Sequence, residues 1–225
     1  MTTTADVAAH GVGRGRRNYL AAEFVLVFFG VVTLYWLFTI PGGPIPLLVV
    51  LGVGSVVYLR RQPDFDRASF WRAGAVRAHL PKMLLLWGAT AALGLVCLWL
   101  FSPERLFELP RNNPTTWLFI MVFYPLLSVY PQELIFRSFL FHRYAPVFGN
   151  GLGMVAASAV AFGFVHIIFG NVLSVVLTVI GGGIFANRYR RTGSVFAAWV
   201  EHGLYGLLVF TIGYGDFFYH GAAGR

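Results

Sequence analysis

The sequence is poor in charge and in cysteine. Of its 225 residues only 12% are charged, and 9 acidic residues stand against 17 lysines and arginines. A soluble domain of this length would need a more polar surface to cover its core. The one cysteine, Cys97, excludes an intramolecular disulfide and a metal site built on cysteines. No internal repeat stands out, and no H-E-x-x-H helix is present. What abounds is apolar: 57% of residues are hydrophobic, and mean hydropathy is +0.69. The composition implies an all-α polytopic bundle in which membrane lipid is the main partner.

Net charge is +8. A basic balance can point to nucleic acid, but these charges sit in short clusters between apolar runs, as the positive-inside rule expects. Residues 1–18 are small, polar and basic, and read as a disordered cytosolic tail. The apolar run that follows is too long for a signal-peptide core and reads as an uncleaved anchor. Residues 19–214 read as one transmembrane domain.

Seven spans are predicted. They cover residues 19–40, 45–59, 82–101, 115–141, 152–169, 171–187 and 194–214. The second is short: about 15 residues rise roughly 22 Å, so its flanks contribute or the bilayer thins. Between the second and third spans, residues 60–81 interleave Phe65, Phe70 and Trp71 with Arg67, Arg72 and Arg77. They read as an interfacial amphipathic helix. Pro125 and Pro131 predict a kinked fourth span. Gly149-Asn-Gly151 marks a turn, and Gly181-Gly-Gly183 permits close helix approach. Seven spans with the N-terminus inside place 14 of the 17 basic residues inside and 3 outside, which favours a cytosolic N-terminus and an external C-terminus in a plasma or inner membrane.

Tyr130-Pro-Gln-Glu-Leu-Ile-Phe-Arg137 puts a carboxylate and a guanidinium inside an apolar run. Positions i and i+4 share a helix face, so Glu133 and Arg137 can pair. Ionisable groups within a span are expensive and face the protein interior or a water-filled cavity. Residues 133 and 166 are equidistant from the Gly149-Asn150 turn, so an antiparallel hairpin sets Glu133 and His166 at one depth. His202 enters on the seventh span. Glu201 points about 100° away from it, and the two are not expected to act on one atom. Glu23 lies within the first turns of its span, from which it can reach the interface.

One carboxylate and two imidazoles support hydrolysis. A desolvated carboxylate can act as general base, one imidazole can help deprotonate a water, and another can donate to an oxyanion. Zinc is a competing use of one Glu and two His, although its helical signature is missing. A proton-coupled transporter is another use of intramembrane Glu and His. No cofactor is expected.

At these residues the chain resembles the CPBP family, also called the Abi or type II CAAX prenyl endopeptidase family. That pattern is Glu-Glu-x-x-x-Arg, Phe-x-x-x-His and His-x-x-x-Asn on separate spans. Here the three read Gln132-Glu133-Leu-Ile-Phe-Arg137, Phe162-Gly-Phe-Val-His166 and His202-Gly-Leu-Tyr-Gly206. The resemblance covers residues 115–214, the expected protease-like core. It implies intramembrane hydrolysis of peptide bonds in membrane-associated proteins, CAAX-type prenylated ones among them, through a water activated by Glu and His. The family assigns the base to the first Glu, the place held here by Gln132, so the base shifts to Glu133, with His166 its partner, His202 the oxyanion donor and Arg137 the organiser of the carboxylate. Two positions depart from the pattern. Gln132 replaces the first Glu and cannot be a base, which leaves it to position water or substrate. Gly206 replaces the Asn and has no side-chain donor. A catalytically inactive scaffold or regulator is the alternative reading.

Overall fold

The computed structural model describes residues 13–38 and 43–218. Among these the chain is an all-α bundle and a multi-pass membrane protein. We label its helices α1 (Arg14–Phe38), α2 (Ile45–Arg60), α3 (Gly74–Phe101), α4 (Pro114–Arg143), α5 (Leu152–Phe169), α6 (Val172–Thr192) and α7 (Val195–Ile212). All but α2 are long and apolar enough to cross a membrane. With 16 residues, α2 rises roughly 24 Å, short of a hydrocarbon core of about 30 Å. The seven expected spans therefore appear as six of full length and one short helix.

The helix boundaries differ from expectation at two places. The expected tail lies outside the described residues up to Val12. From Arg14 the chain is already helical, because arginine is a good helix former. The connector at residues 60–81 is not an independent interfacial helix. Only Arg67–Trp71 forms a separate 3₁₀ turn, and from Gly74 the chain is already α3, which carries Pro81 inside it. The turn is held down by polar contacts. Asp66 accepts from the Ala68 amide at 3.0 Å, and Arg72 donates to the Gly193 carbonyl at 3.1 Å. Ser194 Oγ donates to the Arg72 carbonyl at 3.0 Å.

Apolar side chains on the bundle's outside meet lipid. Leu85 on α3, Phe101 at its end and Val172 on α6 are each more than 70% exposed. Inside, Phe24, Phe28, Phe136, Leu140, Tyr144, Met154, Phe162 and Phe185 form the main core. Small residues let α5 and α6 approach closely. A Cβ on Gly182 would fall 3.1 Å from Ala159 Cα, and one on Gly163 would overlap Val179. Gly52 of α2 does the same for α4, where its Cβ would lie 2.9 Å from Pro131 Cβ.

The longest helix, α4, is not uniform. Pro125 has no N–H for the Met121 carbonyl, and Pro131 has none for Leu127. The helix widens into π turns at Pro125–Val129 and Leu134–Phe139. The Pro125 carbonyl accepts the Tyr130 amide across the π turn and also accepts from Trp199 Nε1 at 2.6 Å, which ties α4 to α7. Such π turns are frequent at functional sites.

Candidate functional site

Glu133 lies between the two π turns of α4, and Arg137 lies within the second. Both side chains are fully buried. Arg137 Nε is 3.1 Å from Glu133 Oε2, the i, i+4 pairing expected from the sequence. The two atoms are not aligned as a hydrogen bond, and Arg137 Nη2 has no partner among the described residues. Arg137 Nη1 donates to Ser158 Oγ on α5 at 2.9 Å, and that hydroxyl donates to the Phe136 carbonyl at 2.8 Å. The guanidinium also lies 4.9 Å from the centroid of Phe162 and 5.9 Å from that of Phe185. A buried cation is tolerated when it is paired, hydrogen-bonded and set on aromatic faces.

The hydrogen-bonding partner of Glu133 is His202. Its Nδ1 lies 2.8 Å from Glu133 Oε1. His202 comes from α7 and is buried. Phe185 of α6 stacks on it at 4.5 Å, with an angle of 12° between planes, and Phe162 of α5 meets it edge-on at 5.3 Å. His166 ends the regular part of α5, and its Nδ1 lies 2.7 Å from the Phe162 carbonyl. Its ring also touches Phe162, with centroids 4.8 Å apart. The Phe162 ring thus touches both imidazoles and the guanidinium.

These contacts fix the ring tautomers. A carbonyl or carboxylate oxygen only accepts, so each Nδ1 carries the hydrogen. In the neutral rings, each Nε2 is then an acceptor. His202, expected to donate to an oxyanion, has spent its N–H on Glu133.

Gln132 is buried. Its Nε2 donates to Ser128 Oγ at 2.8 Å, and its Oε1 has no partner among the described residues. Gln132 and Ser128 therefore form a link along α4, with a free carbonyl oxygen left over. Ser128 and Ser158 escape sequence reasoning, since serine is common in spans and neither belongs to a charged pair. Gly206 lies one turn beyond His202 on α7. The space before it is filled by Tyr124, whose hydroxyl would lie 2.6 Å from a Cβ on Gly206.

Glu201 and Glu23 have other partners. Glu201 is fully buried and receives two hydrogen bonds from Arg188 of α6, at 2.8 and 3.0 Å. That pair staples α6 to α7. Glu23 does not simply reach the interface. It accepts from Arg143 Nε at 2.7 Å, Arg143 Nη2 at 2.6 Å and the Tyr144 hydroxyl at 2.9 Å, which clamps α1 to the end of α4. Among the described residues, no three or more His, Cys, Asp or Glu side chains gather as a metal site.

The family described as Type II CAAX prenyl endopeptidase Rce1-like matches residues 114–208, somewhat under half of the chain. That stretch runs from the start of α4 into α7 and contains Gln132, Glu133, Arg137, His166 and His202. No curated protein and no solved structure matches the chain.

Proposed function

We propose that the chain is an intramembrane endopeptidase of the CPBP type, acting on peptide bonds of membrane-associated proteins. CAAX-type prenylated proteins are the substrate class suggested by the family that matches α4 to α7. The observation that carries this reading is the buried Glu133–His202 hydrogen bond, with Arg137 beside the same carboxylate. Three side chains of this kind are costly to hold in a membrane bundle unless they serve a reaction or a pathway.

Glu133 and His202 act as one basic unit. The carboxylate fixes Nδ1–H and leaves Nε2 facing the reaction. A water oxygen attacks the scissile carbonyl carbon as its proton passes to His202 Nε2. Glu133 balances the imidazolium so formed, and Arg137 keeps the carboxylate in place. The proton then moves to the leaving nitrogen as the C–N bond breaks, giving a carboxylic acid and an amine. His166, whose Nε2 is an acceptor, orients the water through its second hydrogen. Gln132 positions water or substrate through its unpartnered Oε1.

The orientation with the N-terminus in the cytosol follows from the distribution of basic residues. Glu133 lies ten residues before Arg143, roughly 15 Å along α4 from its basic end. Substrate therefore enters from the cytosolic side. An impermeant thiol reagent that labels Gln132→Cys from outside would reverse that assignment.

A second reading is a membrane scaffold without hydrolysis. The observation favouring it is Gln132, whose amide is tied to Ser128. One assay separates the two. Purified protein in liposomes is offered prenylated and unmodified peptides, with and without chelator, alongside Glu133→Gln and Gln132→Glu. Cleavage by the native chain that disappears in Glu133→Gln supports the peptidase. Cleavage only in Gln132→Glu supports the scaffold.

A further inference from the structure

The site described above has proton acceptors but few free donors, and the unpartnered Nη2 of Arg137 belongs to a fully buried guanidinium beside the Glu133 carboxylate. Both imidazoles have committed their N–H groups, to Glu133 and to the Phe162 carbonyl. The Gln132 amide is committed to Ser128. A tetrahedral intermediate puts negative charge on the former carbonyl oxygen, which needs a donor aimed at it. His202 projects into the site from α7, and the position one turn on, which shares its face, is Gly206. A side chain there would be the natural neighbour of His202, but glycine has none.

Tyr124 occupies that place. A Cβ on Gly206 would lie 2.6 Å from its hydroxyl and 2.8 Å from its Cζ, so the phenol sits where a side chain at 206 would begin. Phe210, one further turn along α7, meets the Tyr124 ring edge-on at 5.2 Å and holds it there. The hydroxyl stands against Gly206, one helical turn along α7 from the imidazole that binds Glu133. A phenol carries one donor hydrogen on a rigid ring, which suits it to an apolar site.

We infer that Tyr124 is a catalytic residue: its hydroxyl donates to the oxyanion of the tetrahedral intermediate, from the space that Gly206 leaves open. This rests on the peptidase reading above. Glycine at 206 and tyrosine at 124 are then a matched pair, because any larger residue at 206 would displace the phenol.

The experiment is steady-state cleavage in liposomes, with the best-cleaved peptide of the library, by the full chain. The variants are Tyr124→Phe, Tyr124→Ala and the double variant Tyr124→Ala with Gly206→Asn. Tyr124→Phe keeps the ring, its packing on Phe210 and the thermal midpoint. Its kcat should fall about a hundredfold at unchanged KM, the usual cost of one oxyanion donor. The double variant puts an amide donor in the vacated space and should regain at least tenfold over Tyr124→Ala. Native kcat in Tyr124→Phe would overturn the inference and leave the peptidase reading intact. Failure of the double variant to recover would overturn the donor role, leaving Tyr124 as packing. Absence of cleavage by the native chain would overturn both readings together.

Discussion

Glu133 and His202 lie 69 positions apart in the chain and 2.8 Å apart in the structure, joined through Oε1 and Nδ1. The bond orients the imidazole and leaves its Nε2 as the reactive atom. Glu133→Gln keeps the size of the side chain but removes the charge that balances an imidazolium. Cleavage in liposomes should drop by about 10²–10⁴-fold, the range expected for loss of a general base. His202→Ala should match it, and the two losses should not add, since the residues act as a unit.

Arg137→Lys should fail although charge is kept. The guanidinium spans Glu133, Ser158 and the rings of Phe162 and Phe185 at once. A compact ammonium cannot replace a planar fork. Arg137→Ala leaves Glu133 buried without its cation and should cost about 3–5 kcal/mol, read as a lower unfolding midpoint in detergent.

How much of this was legible in the sequence depends on spacing. The Glu133–Arg137 pair follows from a four-residue interval, and it is present. The helices follow from apolar runs, and α5 spans residues 152–169 as expected. The Glu133–His202 bond was not legible, since depth along a helix says nothing of which two spans face each other. An antiparallel hairpin sets Glu133 level with His166, but the polar contact of His166 is the carbonyl of its own preceding turn. Ring tautomers and the phenol before Gly206 depend on contacts between helices, which no local pattern encodes. The fate of Glu23 was hidden for the same reason: its partner Arg143 is 120 residues away.

That distant clamp can be removed without touching the site. Glu23→Gln should weaken the attachment of α1 to α4 by about 1–2 kcal/mol, between an exposed ion pair and a buried charged hydrogen bond. The unfolding midpoint should fall, while cleavage per folded molecule stays at the native level. Loss of activity at full stability would show that α1 reaches the site by a route other than this clamp.

The α5–α6 contact should be sensitive to a single methyl group. Gly163→Ala drives a Cβ into Val179 and should cost about 1–3 kcal/mol through overpacking. Val179→Ala in the same chain should recover most of that loss, because it removes the colliding methyl groups. Thermal unfolding of the three variants gives the coupling directly.

The π turn at Pro125–Val129 has a consequence best put as angular phase. On an uninterrupted α-helix, Tyr124 and Glu133 are nine residues apart and would point about 180° away from each other. A π turn absorbs one residue without advancing the repeat, which reduces the offset to about 80° and turns both side chains toward the same interior. Deleting a single residue between Pro125 and Val129 would leave the two residues eight apart on a regular helix, the same offset of about 80°, so such a deletion should remove the bulge and keep Tyr124 turned to the interior.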